Sequence, residues 1–309
     1  MLAGMKRRDF LRAAGGAASV LAIGGCGGSR RAPFRVLFLT DFHARAELGA
    51  PEALARVADQ VNRIAPDLVI GGGDCIHGGF AGDLGQSRRR LAIFREFAES
   101  IRAPAHWIIG NHDFARAVDS GGEVLPGDPT ALFRETMGVE RLYSSFDAGG
   151  VHWIALQSVD VVGGQPGYRG FVDREQLAWL RDDLGRVPRG RPVVLITHIP
   201  LRSTFLQQRE RSTAALTANL VVENANEVLS CLAGHRLLAV LQGHLHSDER
   251  IHWNDTAFIM GGAVCGAWWQ GANQGTEEGY GQLDLDGGAL AGYRYLDSGW
   301  SPPATAATQ

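Results

Sequence analysis

The chain has 309 residues, 30 basic and 33 acidic side chains, and a net charge of −3. That balance leaves no basic footprint for nucleic acid, and the length suffices for one large domain whose core needs no staples. The four cysteines, Cys26, Cys75, Cys231 and Cys265, are far apart and form no CxxC pair, which argues against a zinc ribbon or a dithiol redox motif. Cys75 reads as a small buried packing residue. A Cys231–Cys265 bridge stays open for an oxidising compartment. Lys6 is the only lysine; every other basic residue is an arginine, which reads as base composition.

The first thirty or so residues read as a targeting segment. Lys6-Arg7-Arg8-Asp9-Phe10-Leu11-Arg12 resembles a twin-arginine export signal, with Met5 as a candidate true start. The apolar stretch Ala13 to Gly25 is too short and too rich in Gly and Ala to span a bilayer, which takes about 20 apolar residues, and it fits the middle of an export signal. Ile23-Gly24-Gly25-Cys26 is a loose match to a bacterial lipobox, so a lipid on Cys26 and an unmodified Cys26 are both open. Cleavage before Cys26 would remove Lys6, Arg7, Arg8 and Arg12 against Asp9 and leave the remainder more acidic. These features predict a protein of the periplasm or cell envelope, with the twin-arginine machinery as a partner and the membrane touched only through a lipid on Cys26. Residues 1–32 are read as signal and linker, 33–300 as the folded domain, and 301–309 as a frayed tail.

Beyond the linker, strands and helices alternate. Phe34 to Thr40 is a β-branched and aromatic run ending at Asp41. Pro51 to Ile64 has helical periodicity, with Leu54, Val57, Val61 and Ile64 on one face and Pro51 at the opening position. Asp67 to Ile70 is a strand broken by three glycines, Ser87 to Ile101 a helix, and Ala105 to Ile109 a strand ending at Gly110. This alternation predicts a parallel start to the sheet. Arg141 to Phe146 and Val151 to Ser158 flank a hairpin signal, Asp147-Ala148-Gly149-Gly150. Val172 to Leu184 is a helix, Pro192 to Thr197 a strand, Val221 to Leu232 a helix, and Leu237 to Gln242 a strand. From Glu249 onward, short runs separated by Asn254-Asp255 and Asp286-Gly287-Gly288 predict antiparallel sheet.

Five of these elements end in metal-binding side chains. Asp41-Phe42-His43, Gly73-Asp74, Gly110-Asn111-His112-Asp113, Thr197-His198 and Gly243-His244-Leu245-His246 each follow a strand, and His77 stands beside the second group. Loops at the carboxyl ends of strands are where open α/β sheets gather ligands. A pair of divalent cations needs nitrogen and oxygen donors, a bridging carboxylate and open positions, and this set supplies them. Singly, each residue has a duller reading: Asp41 or Asp74 as a turn cap, Gly110-Asn111 as a turn, any histidine as a surface residue. Jointly, that reading needs many coincidences. His106, His152, His235 and His252 carry no motif and read as ordinary core or surface residues.

The order DxH, GD, GNHD, H, GHxH resembles the calcineurin-like metallophosphoesterase superfamily, nearest in pattern to its bacterial class III cyclic-nucleotide phosphodiesterase-like members. The resemblance covers Asp41 to His246, about two thirds of the chain. It implies an α/β fold: a four-layer α/β/β/α sandwich with two mixed sheets and a dimetal site at the strand ends. It implies that Asp41, His43 and His246 hold one metal, that Asn111, His198 and His244 hold the other, and that Asp74 bridges both. It further implies metal-activated hydroxide attack on phosphorus, with His112 protonating the leaving oxygen as general acid. Manganese, iron and zinc all remain open as the two divalent ions.

The chain departs from the pattern at His77. Many relatives place there an acid that orients the catalytic histidine, and purple acid phosphatases a tyrosine ligand. His43 would fill that coordination site here, so no tyrosinate-to-iron colour is expected; His77 is left to contact substrate phosphate or to pack. Trp268 and Trp269, adjacent among glycines, are read as a substrate wall, since two neighbouring tryptophans are poor candidates for joint burial. Asn111 is a further candidate substrate contact. The expected activity is exported, metal-dependent hydrolysis of a small phosphodiester. A phosphomonoesterase on the same site and a non-catalytic metal-containing binding protein are the rivals. The sequence gives no oligomeric state.

Overall fold

The structure is a computed structural model and describes residues 32–210 and 213–302. The arginine pair, the apolar stretch and Cys26 of the expected export signal lie outside the described residues, as does the tail beyond Pro302.

The first strands are apolar on both sides, and their neighbours explain why. β1 (Phe34–Leu39) runs parallel to β2 (Leu68–Gly71), which runs parallel to β3 (Ala105–Trp107). Between them lie α1 (Ala50–Ile64) and α2 (Leu84–Ser100). Pro51 opens α1, and the Asp83 side chain caps α2 by accepting from the Gln86 N–H at 2.9 Å, so α2 begins three residues before Ser87. The chain then passes through α3 (Ala131–Met137) into the hairpin of β4 (Ser144–Ala148) and β5 (Val151–Ala155). Gly149 and Gly150 make its two-residue turn with φ of 60° and 79°. A small ribbon follows, β6 (Val159–Val161) against β7 (Tyr168–Gly170). After it come α4 (Arg174–Leu184), β8 (Pro192–Ile196), α5 (Phe205–Glu210), α6 (Ala225–Cys231) and β9 (Arg236–Gln242). The last strands are β10 (Asp248–Trp253), β11 (Thr256–Gly261), β12 (Gly279–Asp286) and β13 (Ala289–Asp297).

Two mixed sheets result. One has the order β13-β12-β1-β2-β3, the other β10-β11-β9-β8-β5-β4. The antiparallel sheet expected after Glu249 is divided between them: β11 joins β9 in parallel, whereas β12 pairs antiparallel with β1 and carries β13. Local alternation cannot reveal this, because either sheet offers a partner edge to the same short runs.

The faces sort by alternation. Val36 and Phe38 of β1, Ile70 of β2, Trp153 of β5, Val194 and Ile196 of β8, Leu241 of β9 and Leu283 of β12 fill the space between the sheets. Leu37 and Leu39 of β1 and Val193 and Leu195 of β8 belong to the second apolar group, with Leu54, Val57 and Val61 of α1 and Leu177, Leu180 and Leu184 of α4. Helices thus cover both outer faces, giving the α/β/β/α layers that the resemblance implies. Cys231 and Cys265 are both free thiols, so the bridge left open between them is absent.

Phe38 is fully buried between the sheets, and a Cβ at Gly72 or Gly261 would fall within 2.8 Å of its ring. Phe38→Ala should lower unfolding stability by about 3–5 kcal/mol in denaturant titrations. A loss below about 1 kcal/mol would contradict this packing.

Candidate dimetal site

β1, β2 and β3 point the same way, as do β8 and β9, so their carboxyl ends bring Asp41, His43, Asp74, Asn111, His112, His198, His244 and His246 to one rim. Asp41, His43, Asp74, His244 and His246 all take positive φ, between 43° and 79°. Such a backbone is costly for residues with side chains and concentrates at functional sites. Close backbone approach completes the arrangement. A Cβ at Gly110 would lie 2.3 Å from the Asp74 nitrogen and Oδ1, and one at Gly243 would lie 2.8 Å from Asp41 Oδ2.

On one side, Nε2 of His43 and Nε2 of His246 face each other at 3.0 Å. Oδ1 of Asp41 lies 3.3 Å from the His246 nitrogen, and Oδ2 of Asp74 lies 3.5 Å from the His43 nitrogen. On the other side, Nε2 of His198 lies 3.0 Å from Asn111 Oδ1 and 3.3 Å from Asp74 Oδ1. His244 stands beside His198, with ring centroids 5.2 Å apart. Asp74 therefore offers one oxygen to each side.

The hydrogen bonds behind the imidazoles show what this arrangement is for. Nδ1–H of His198 donates to the Gly72 carbonyl at 2.8 Å, and Nδ1–H of His246 donates to the Gly266 carbonyl at 2.6 Å. Each ring so fixed aims Nε2 into the rim. Nε2 of His244 faces the Asn219 carbonyl at 2.8 Å, which leaves its Nδ1 for the site. His198 Nε2 then faces Asn111 Oδ1 and Asp74 Oδ1 at close range, an arrangement that needs a proton or a cation among the three. Nδ1 of His43 is buried without a partner. Mutually facing buried acceptors are unfavourable unless a proton or a metal cation lies among them. The residues present fit two divalent ions.

The electrostatics express the same demand. Burial alone would raise Asp74, but the imidazoles of His198 and His112 hold it well below the usual carboxylate range. Burial lowers His198, yet the Asp74 carboxylate overrides it and pushes the ring up to about 9. Burial and the neighbouring His198 push His244 down to about 4.

His112 occupies a different position from the ligands. The Gly78 N–H donates to its Nδ1 at 2.8 Å, so the proton of the neutral ring sits on Nε2. Its backbone N–H donates to Asp74 Oδ1 at 2.8 Å. Asp113 holds this turn in place by accepting from the Gly110 N–H at 2.8 Å and the Ile76 N–H at 3.0 Å. Burial and the charge of Asp74 push Asp113 up to about 7.

A cavity of about 290 Å³ opens over the rim, lined by His43, Asp74, His112, His244 and His246 together with Tyr168, Phe205, Arg209, Trp268 and Asn273. The expected tryptophan pair divides. Trp268 is 39% exposed and lies 4.7 Å from the His246 ring. Trp269 corrects the expectation: it is fully buried, its Nε1–H donates to the His43 carbonyl at 3.1 Å, and its ring packs edge-on against Trp300. A buried indole that supports a ligand's backbone cannot also wall the substrate. His77 lies outside the cavity lining and stands 5.9 Å from the His112 ring and 5.8 Å from the His43 ring. Burial and Arg45 push it down to about 4. Arg202 is occupied by Asn226 and the Leu201 carbonyl. Sequence reasoning missed Tyr168, Phe205 and Arg209, because an aromatic or arginine outside any motif carries no local signal.

A model of the calcineurin-like phosphoesterase family matches residues 34–248. The chain belongs to that family. Among curated proteins it is similar to the 3′,5′-cyclic adenosine monophosphate phosphodiesterase CpdA of Haemophilus influenzae, 26% identical over 202 residues, covering 64% of this chain and 61% of that protein. CpdA of Escherichia coli strain K12 is 28% identical over 190 residues, covering 60% and 59%. The matched stretch thus spans about three fifths of the length of these relatives. Among solved structures, a dimetal phosphatase from Danio rerio superposes with a TM-score of 0.62 at 16% identity, over 83% of this chain and 94% of that one. That likeness shows the shared fold. Calcineurin-like phosphoesterases use a dinuclear divalent centre, and the acceptors converging on Asp74 fit one.

Gly110→Ala should cost the protein bound metal, because the new methyl group meets Asp74 backbone and carboxylate together. Elemental analysis after reconstitution should give fewer than two ions per chain with the fold retained by circular dichroism. Two ions per chain would refute the proposed closeness of these loops.

Proposed function

We propose that this metallophosphoesterase hydrolyses a phosphodiester. The observation that carries the reading is the division of labour at the rim. Seven side chains direct ligating nitrogen or oxygen atoms toward one another, while His112, whose Nδ1 accepts from the Gly78 N–H, carries its proton on Nε2 at the cavity. Asp41, His43 and His246 would hold one ion, Asn111, His198 and His244 the other, and Asp74 both. Bound there, the ions supply Lewis acidity toward the phosphoryl oxygens and make water nucleophilic near neutral pH.

The chain's own groups do the rest. His112 Nε2–H lies toward the carboxylate of Asp74, 4.0 Å from Oδ2, where it reaches a phosphoryl group seated between the ligands. It hydrogen-bonds the departing oxygen and delivers a proton to it as general acid. Trp268 offers a flat face at the mouth, beside His246 and His43. A diester is favoured over a monoester by that aromatic wall and by the likeness to the cyclic-nucleotide phosphodiesterases. We also infer, from Arg7-Arg8 followed by Phe10-Leu11, that the chain leaves the cytoplasm by the twin-arginine route after folding and loading metal.

Two experiments test these readings. The metal-reconstituted protein should turn over bis(p-nitrophenyl) phosphate faster than p-nitrophenyl phosphate, and His112→Ala should lower turnover by about 10²-fold or more with both ions still bound. Preference for the monoester sinks the diester reading. Unchanged turnover in His112→Ala removes the acid, and no turnover of either ester leaves a metal-containing binding protein. Replacing Arg7 and Arg8 together with lysine should strand the protein in the cytoplasm in cell fractionation; undiminished export refutes that route.

A further inference from the structure

The Tyr168 hydroxyl, on the cavity wall, has no hydrogen-bond partner among the described residues. Tyr168 lies on β7, in the two-stranded ribbon that belongs to neither main sheet, and its register partner across the ribbon is Val161. The ribbon is pinned from both sides. Arg169 pairs with Asp160 at 2.8 Å and with Glu223 at 2.9 Å. Gly170 N–H donates to the Ala218 carbonyl, and Glu223 N–H donates to the Gly170 carbonyl. Phe80 stacks edge-on against the Tyr168 ring at 5.3 Å, and Gly167 leaves no room for a Cβ against Phe80 and Val118. These contacts hold the ring in place without help from its hydroxyl.

That hydroxyl has no hydrogen-bond partner among the described residues, and it is not one of the buried side-chain atoms closed off from solvent. Tyr168 itself lines the cavity over the rim, where that hydroxyl can meet a ligand. The ring stands almost perpendicular to His244, with centroids 6.1 Å apart, so it marks the His244 side of the site, whereas Trp268 marks the His246 side. Burial and the charge of Asp74 push its phenol up, in the sense that keeps the proton on.

We propose that Tyr168 is a further substrate-contacting residue, whose phenolic O–H donates a hydrogen bond to an oxygen of the bound phosphoryl group on the His244 side. This rests on the phosphoesterase reading and adds a second donor beside His112, one carried on β7 and the other on the turn after β3. A donor aimed at charge that grows in the transition state contributes most to kcat. No bond is made or broken at Tyr168, and its proton stays on the phenol.

The experiment is Tyr168→Phe in the metal-reconstituted full chain, which keeps the ring and its packing on Phe80. Expected are two ions per chain, an unchanged melting temperature, a kcat lower by about 10²-fold, and weaker competition by inorganic phosphate. A structural role alone would move the melting temperature and spare phosphate affinity. Unchanged kcat and phosphate affinity overturn the proposal. So does a visible charge-transfer band in the iron-loaded wild type that Tyr168→Phe abolishes, because the residue would then be a tyrosinate ligand. If the wild type hydrolyses no phosphoester, the proposed function fails by itself, and phosphate binding to the two proteins still decides the contact.

Discussion

Lone pairs of Asp41, Asp74, Asn111 and four histidines converge at the rim, and the hydrogen bonds behind the rings prevent them from turning away. Gly72 and Gly266 carbonyls hold His198 and His246 by Nδ1–H with Nε2 facing the rim, and the Gly78 N–H holds His112 the other way round. The same chemical group is thereby set to ligate in two places and to donate in a third. Much else follows from seating those groups. Glycines stand where the loops touch, backbone is held at positive φ in five ligands, and a fully buried indole supports the His43 carbonyl. Local cost of this kind persists only where surrounding structure over-determines it.

The part of the architecture nearest the ligands was the most legible in sequence. β1, β2, β8 and β9 are short, apolar on both faces and punctuated by the motif residues themselves, so their ends and the convergence of their loops could be read directly. What escaped depends on tertiary partners. The β6–β7 ribbon is three residues a side and exists because Arg169 and Gly170 find Glu223 and Ala218 across the fold. α3 and α5 are each under two turns, too short for periodicity to register. The division of β10–β13 between two sheets rests on tertiary pairing, β11 on β9 and β12 on β1, which no local run encodes.

The tryptophan pair shows how a correct local signal can mislead. Two adjacent tryptophans among glycines are poor candidates for sharing the core, and the substrate-wall reading follows from that. At φ of 53° and 69° the chain is neither strand nor helix. The turn sends one indole under the His43 loop and leaves the other at the cavity mouth. Asp113, the last residue of the third motif, accepts from the Gly110 N–H within its own turn and from the Ile76 N–H of the second loop, and so ties the two loops together.

The ligands hang from different layers. Asp41, His43, Asp74 and Asn111 follow strands of the five-stranded sheet, whereas His198, His244 and His246 follow strands of the six-stranded one. Ions seated among them would act as rivets through the sandwich, tying its halves at one end. Anything that binds only the folded state stabilises it by mass action, about 2.7 kcal/mol when present at a hundred times its dissociation constant. The endurance of this protein is then partly a property of its surroundings: a medium starved of transition metal would shorten its life as well as silence its chemistry.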